Sequence, residues 1–215
     1  MARRSYDQYC GLARALDVVG ERWTLLIVRN LLLGPLRYSE LLRGLPGITT
    51  NLLAKRLREM EAHGIIERTG GGARADGTSA YGLTPPGQAL EPAIHALGRW
   101  GWRGMGKPRP RDRRSVEWLL VALRRRYRGG ATVSAELVAD GVPYHLVLRG
   151  ERAEIGRGAL PAADLRVLGS GPDIARLFLE GLPKGETRAN VEVEGSVKQL
   201  RTVIDAFARG ELEAA

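Results

Sequence analysis

Residues 34–64 constrain the fold most, because they carry the pattern of two short amphipathic helices joined by a tight turn. In the first helix Tyr38, Leu41 and Leu42 share one face at helical spacing. Residues 44–47, Gly-Leu-Pro-Gly, end that helix, because proline cannot continue it and glycine adopts the turn conformation freely. The pattern predicts a helix-turn-helix.

The second helix has an apolar back and a polar front. Thr49 is expected to cap it by accepting hydrogen bonds from free N–H groups. The apolar residues are Leu53, Leu57 and Met60, and the polar residues opposite them are Asn51, Lys55 and Arg58. Such a helix suits the major groove of DNA, whereas the alternative is an ordinary helical hairpin with a solvated face.

The predicted DNA contacts follow from this geometry. We expect Asn51, Lys55 and Arg58 to meet the major groove. Thr49 and Thr50 should bind phosphate, because the N–H groups at a helix N-terminus favour anions. The expected secondary phosphate contacts are Arg37, Arg56 and Arg74.

The flanks of this stretch complete a winged arrangement. An apolar helix is predicted over residues 23–33, and strands over 65–69 and 80–84. The glycine-rich segment between the strands contains Arg74 and would form the tip of a wing that contacts DNA. A phosphate-cradling loop is the alternative, but the segment lacks the Gly-Lys-Ser/Thr ending of such loops.

Positive charge is concentrated at the front of the chain. The net charge of +9 divides into +7 for residues 1–110, +5 for 111–129 and −3 for 130–215. A basic proteome would spread the excess more evenly, so this distribution favours a polyanionic partner for the front half.

Residues 10–102 resemble the HxlR family of bacterial winged-helix transcriptional regulators, relatives of the MarR group. The likeness is carried by Cys10, by residues 15–68 from ALDVVGERWTLL to GIIER, by YGLTPPGQAL and by Arg99-Trp100-Gly101. It implies a homodimer, with the helices outside the motif at the interface and two recognition helices facing successive half-sites of a DNA operator. The wing departs from the family, because it lacks the Pro-Arg-Val run.

Residues 86–105 are predicted to form a helix with Leu90, Ile94, Leu97 and either Trp100 or Gly101 on its inner side. The family resemblance pairs this helix with the N-terminal helix at the dimer interface. The domain limits predicted from composition are 1–105 for the DNA-binding and dimerisation domain, 106–114 for a linker and 115–215 for a second domain.

In the back of the chain the period changes to that of β-strands. Strands are predicted over 131–139, 143–149, 152–156, 164–168 and 191–194, with helices at 172–181 and after 196. The whole chain is therefore predicted to be α+β, a winged helix-turn-helix followed by a smaller sheet-and-helix domain. The strand–helix–VEVEG–helix ending resembles the sterol-carrier-protein-like domain, which implies an apolar tunnel for a lipid or another hydrophobic ligand. The suggested lining is Leu177, Phe178, Leu182 and Ile204, with plain core packing as the alternative.

No enzyme chemistry is expected. The three histidines, His63, His95 and His145, lie in separate segments without metal-ligand spacing, so neither catalytic residues nor a metal or cofactor is predicted. The single cysteine excludes an internal disulfide framework and suggests a reducing compartment. With no signal peptide apparent and no long apolar run, we expect a cytoplasmic protein without membrane contact.

Cys10 is the one residue with reactive potential. The family resemblance implies that a cysteine here can serve as a thiol sensor, and Arg14 on the same helical face could favour the thiolate. The alternative is a small residue buried at the dimer seam. The sequence thus predicts a dimeric DNA-binding regulator modulated by a hydrophobic ligand or by thiol oxidation. A lipid or small-ligand carrier with an interaction module is the second hypothesis.

Overall fold

A computed structural model of the chain describes residues 5–69, 79–106, 109–113, 115–127, 129–180 and 190–208. Arg74 and Leu182 lie outside the described residues. The chain divides into two compact units, Met1–Ala96 and Leu97–Ala215. The limits expected from composition, with a first domain over 1–105, a linker over 106–114 and a second domain over 115–215, stay a prediction.

The first unit is a winged helix-turn-helix, as predicted. Its elements are α1 (Gly11–Val19), α2 (Thr24–Leu31), α3 (Tyr38–Arg43), α4 (Thr50–Ala62), β1 (Ile66–Thr69), β2 (Ala80–Leu83), α5 (Pro85–Gln88) and α6 (Glu91–Arg103), which continues into the second unit. Strands β1 and β2 pair antiparallel, with Ile66 opposite Leu83. Leu36 forms a bridge to Tyr81 and so attaches the segment before α3 to the wing.

The core of the first unit lies where α2, α3, α4 and β1 meet. Ile27, Leu41 and Leu53 are each 0% exposed, which agrees with the apolar faces predicted from helical spacing. Burying one such side chain contributes about 1.5–3 kcal/mol to stability. The Asn30 amide of α2 donates to the Gly44 carbonyl over 3.1 Å, and thereby holds the end of α3 in place.

The helix predicted over residues 86–105 is two helices. Thr84 caps α5 by accepting from the Gly87 N–H, and Pro85 supplies the first helical position. A β-carbon on Gly87 would lie 2.0 Å from the Ile65 carbonyl oxygen, so only glycine fits this approach. After a turn at Ala89 and Leu90, α6 begins at Glu91.

The second unit is an α+β domain, also as predicted. Its elements are α7 (Val116–Arg126), β3 (Ala131–Ala139), β4 (Val142–Gly150), β5 (Arg152–Arg157), β6 (Leu165–Gly169), α8 (Gly171–Glu180), β7 (Val191–Glu194) and α9 (Val197–Ala208). The sheet order is β5-β4-β3-β6-β7, with β3 and β6 parallel and the other pairs antiparallel. Asp140 and Gly141 join β3 to β4 with positive φ at both positions, as a two-residue hairpin requires.

The core of the second unit packs helices against this sheet. Leu120, Leu137, Leu146 and Phe207 are each 0% exposed. The sequence did not predict burial of Glu136, which is 6% exposed on the other face of β3. Its carboxylate accepts from Arg166 Nε at 2.6 Å and from the Leu160 N–H at 3.0 Å, so the buried charge is paired.

Across the part of the chain described here, every helix is too short or too polar to span a membrane.

Candidate nucleic-acid interface

The N-terminus of α4 is held by two side chains. The Thr49 hydroxyl accepts from the Leu52 N–H at 3.3 Å, which is the predicted cap. The Tyr38 hydroxyl of α3 donates to the Thr50 carbonyl at 2.7 Å. The first bond closes the N-terminal turn of α4, and the second joins that turn to α3.

One side of α4 is free of the core. We define the α4 outer face as the five exposed residues Thr49, Thr50, Asn51, Lys55 and Arg58. Asn51, Lys55 and Arg58 recur every three or four positions and therefore lie along one stripe. Two hydroxyls, an amide and two cations are thus presented to solvent on one helix.

Lys55 has only a loose partner among the described residues. Its Nζ lies 3.8 Å from Glu59 Oε1, and the two side chains are 53% and 42% exposed. An exposed pair of this kind contributes little to stability, because water and salt screen it. Lys55 can therefore leave Glu59 for a phosphate at small cost.

Arg56 does not lie on this face, contrary to the expected phosphate contact. It is 7% exposed and packs on the inner stripe with Leu53, Leu57 and Met60. Its guanidinium is paired with Glu21 at 3.0 Å and with Glu59 at 2.5 Å. A phosphate contact would break both ion pairs, so we remove Arg56 from the expected contacts.

The other two predicted phosphate contacts, Arg37 and Arg74, are not residues of α4. Arg37 is half-buried before α3, where its N–H donates to Glu40 Oε2 at 2.6 Å. Arg74 falls outside the described residues. Sequence reasoning missed Arg68 on β1, which is 56% exposed and lies 5.5 Å from the centre of the Tyr81 ring. The sequence signal that could have identified Arg68 was its position on the first predicted strand of the wing.

Cys10 is exposed at the N-cap of α1. The backbone N–H groups of Ala13 and Leu12, which are free at the start of α1, lower the pKa of its thiol. Arg14, which the sequence suggested as the cause, does not contribute. In the single chain the cysteine is not buried, so burial at a seam would need a second chain.

Helix α6 buries no residue completely. Ile94 and the preceding Leu90 pack half-buried against the core of the first unit, as predicted. Leu97 is 51% exposed and so is not on an inner side of the single chain. Trp100 is 75% exposed and Met105 59% exposed, so an apolar surface continues beyond the end of the helix. Leu12 and Leu16 of α1, and Tyr9 just before it, are also apolar and exposed.

The residues suggested for a ligand tunnel lie in the core of the second unit. Leu177, Phe178 and Ile204 are 1%, 4% and 3% exposed. Phe178 meets Phe207 edge to face, with ring centres 6.0 Å apart. The alternative of plain core packing describes these three side chains, and Leu182 lies outside the described residues.

A separate cavity of about 190 Å³ lies within the second unit, beside the N-termini of α7 and α8. Its wall includes Glu117 and Tyr144, whose hydroxyl donates to Glu117 Oε1 at 2.8 Å. Burial raises the pKa of Glu117, but hydrogen bonds from Ser115 and Tyr144 outweigh burial and hold that pKa below its ordinary value. Burial and the neighbouring carboxylate raise the pKa of Tyr144 well above its ordinary range.

Known proteins resemble the front of the chain. Residues 18–108 match the family model for the HxlR-like helix-turn-helix. The uncharacterized HTH-type transcriptional regulator YkvN of Bacillus subtilis is 36% identical over 101 residues, which cover 43% of this chain and 77% of YkvN. YvaP of the same organism, described in the same words, is 34% identical over 87 residues, which cover 40% of this chain and 80% of YvaP. A crystal structure described as a MarR-family regulator from Porphyromonas gingivalis is 27% identical, with a TM-score of 0.43, covering 48% of this chain and 100% of that one.

Proposed function

The chain belongs to the HxlR-like helix-turn-helix family of transcriptional regulators, and from that premise we propose that it reads an operator through the α4 outer face. The observation that supports this most is the separation of α4 into a buried apolar back and an exposed amide-bearing, cationic front. A helix of this kind fits the major groove, where base edges carry a distinct pattern of donors and acceptors.

Each residue of the α4 outer face has a role in this proposal. The Asn51 amide pairs with an adenine, because one amide can donate and accept along the same base edge. Lys55 and Arg58 contribute positive charge and contacts along the groove. Thr49 and Thr50 bind phosphate beside the N–H groups at the start of α4.

We propose that the protein acts as a homodimer. The exposed apolar residues Leu97, Trp100, Trp102 and Met105 follow one another on and after α6. An exposed apolar surface is typical of an interaction site. A second copy would cover it and hold two α4 helices for half-sites about 34 Å apart.

A selection experiment tests the operator and the dimer together. The parent protein is incubated with a pool of random duplexes, and the enriched sequence is expected to be an inverted repeat. Asn51→Ala should reduce the discrimination between the selected duplex and a scrambled one by about fivefold or more per half-site. Light scattering should give the mass of two chains. A pool that remains unenriched would refute the proposal that the chain reads a sequence.

Control by an effector is proposed at two places. Oxidation by a peroxide would join the exposed Cys10 thiols of two protomers in a disulfide, releasing two protons and passing two electrons to the peroxide. A small hydrophobic ligand would bind in the second unit and change the populations of dimer geometries. Peroxide should alter the operator affinity of the parent and leave the operator affinity of Cys10→Ser unchanged.

The second candidate function is a lipid or small-ligand carrier whose front half is an interaction module. The cavity of about 190 Å³ in the second unit is the observation in its favour. A salt titration separates the two functions, because a DNA reader loses affinity steeply as salt rises. DNA affinity indifferent to both salt and sequence would favour the carrier.

A further inference from the structure

We propose that the ion pair between Glu21 and Arg56 sets the rotation of α4 and is a positioning device for sequence reading. This inference rests on the proposed function, since it assigns the orientation of the α4 outer face to an ion pair between the buried Arg56 and the exposed Glu21.

Arg56 is an unusual residue for the inner side of a helix. It is 7% exposed, and a buried cation is costly unless its charge is paired. Its two terminal nitrogens meet two carboxylates, Glu21 Oε2 at 3.0 Å and Glu59 Oε2 at 2.5 Å. Glu59 belongs to α4 itself and cannot orient that helix. Among the described residues, only Glu21 connects the guanidinium to another part of the fold.

Glu21 is attached to a well-fixed turn. It lies between α1 and α2, two residues before Trp23, which has a left-handed backbone with φ of 82°. The half-buried Trp23 ring packs on the core of the first unit. It also lies beside Gly47, in the turn between α3 and α4, where a β-carbon added to Gly47 would be 3.8 Å from the ring. The Arg22 guanidinium covers that ring at 5.4 Å. The turn therefore holds Glu21 at a defined place relative to the motif.

The remaining contacts of the inner stripe are apolar. Leu53, Leu57 and Met60 hold α4 on the core, but apolar packing is non-directional. A guanidinium bound at both terminal nitrogens is directional, since its planar fork fixes the approach of each carboxylate. Rotation of α4 about its axis would separate Arg56 from Glu21. The same rotation would carry Asn51 away from its base.

The test uses Glu21→Gln in the full chain, with Glu67→Gln as the matched control. Both variants remove one negative charge from exposed residues of the first unit, but the ion pairs of Arg56 are with Glu21 and Glu59 and not with Glu67, which lies on β1. Removal of a negative charge alone should strengthen binding to every duplex. The measurement is the affinity ratio between the duplex selected by the parent and a scrambled duplex, with thermal unfolding followed in parallel.

Glu21→Gln should lower this ratio by about threefold to tenfold, in the lower part of the range found for coupled neighbouring residues, while Glu67→Gln keeps the parent ratio. Arg56→Lys keeps the charge but loses the fork, so it should lower the ratio similarly. The double variant, Glu21→Gln with Arg56→Lys, should lower the affinity ratio no more than either of these single variants does. Equal ratios for Glu21→Gln and Glu67→Gln, or losses that simply add, would overturn the positioning role. Failure of the parent to select any duplex would instead refute the proposed function and this inference with it.

Discussion

Replacing Lys55 by alanine should flatten the salt dependence of DNA binding without unfolding the chain. Lys55 is 53% exposed on α4, and its pairing with Glu59 at 3.8 Å is loose because Glu59 also holds Arg56 at 2.5 Å. Loss of an exposed pair of this kind costs about 0.3–0.5 kcal/mol, and alanine favours the helix. Thermal unfolding should therefore change little.

The magnitude follows from counterion release. Each neutralised phosphate contributes about 0.9 to the slope of log affinity against log salt, so two copies of Lys55 in a dimer contribute about 1.8. Between about 50 and about 200 mM salt, the parent should lose about twelvefold more affinity than the variant.

Fluorescence anisotropy with a labelled duplex measures this slope at several salt concentrations. Lys198→Ala provides the control, because it removes the same charge from an exposed position on α9. Identical slopes for the parent and Lys55→Ala would refute the assignment of Lys55 to the DNA contact. A slope change of the same size in Lys198→Ala would show a general charge effect instead.

Three further predictions concern packing, assembly and pH. Leu53→Ala should lower the free energy of unfolding by about 2–5 kcal/mol in urea, because the side chain is 0% exposed, and an unchanged urea midpoint would contradict this. Trp100→Ser should shift the mass from light scattering towards that of a monomer, because the 75% exposed ring is proposed to lie in the dimer interface. An unchanged mass would show that the interface does not depend on Trp100. Glu117 has a lowered folded-state pKa, so its stabilisation is present above its ordinary pKa of 4.5 and is lost as pH falls through the lowered value. The parent should thus lose more stability on acidification than Glu117→Gln, and parallel losses would contradict this.

The helix-turn-helix could be predicted because apolar residues at helical spacing determine which side of each helix faces the core. Leu41, Leu53 and Leu57 all lie where their period places them. Arg56 could not be placed by that rule, because a charged residue is ordinarily assigned to the solvent side. Its spacing of three from Leu53 and four from Met60 was the signal for the inner stripe. Its partner Glu21 is too distant in sequence for any local pattern to connect them.

In the second unit, too, the local sequence pattern predicts the element but misplaces a single charged residue. Alternation along β3 predicted the buried Val133, Ala135 and Leu137, but it also implied that Glu136 faces water. Glu136 is buried because Arg166 and the Leu160 N–H reach it from segments about 25–30 residues later. The suggested tunnel residues were chosen by helical spacing, which also describes ordinary core, and Leu177 and Phe178 are core in the structure.

The central claim is that the α4 outer face meets DNA. Amide and side-chain chemical shifts, followed as the selected duplex is titrated into the full chain, test it most directly. The largest shifts are expected on Thr49, Thr50, Asn51, Lys55 and Arg58, including the Asn51 side-chain amide. Saturable binding that shifts the second unit and leaves these five residues unchanged would contradict it.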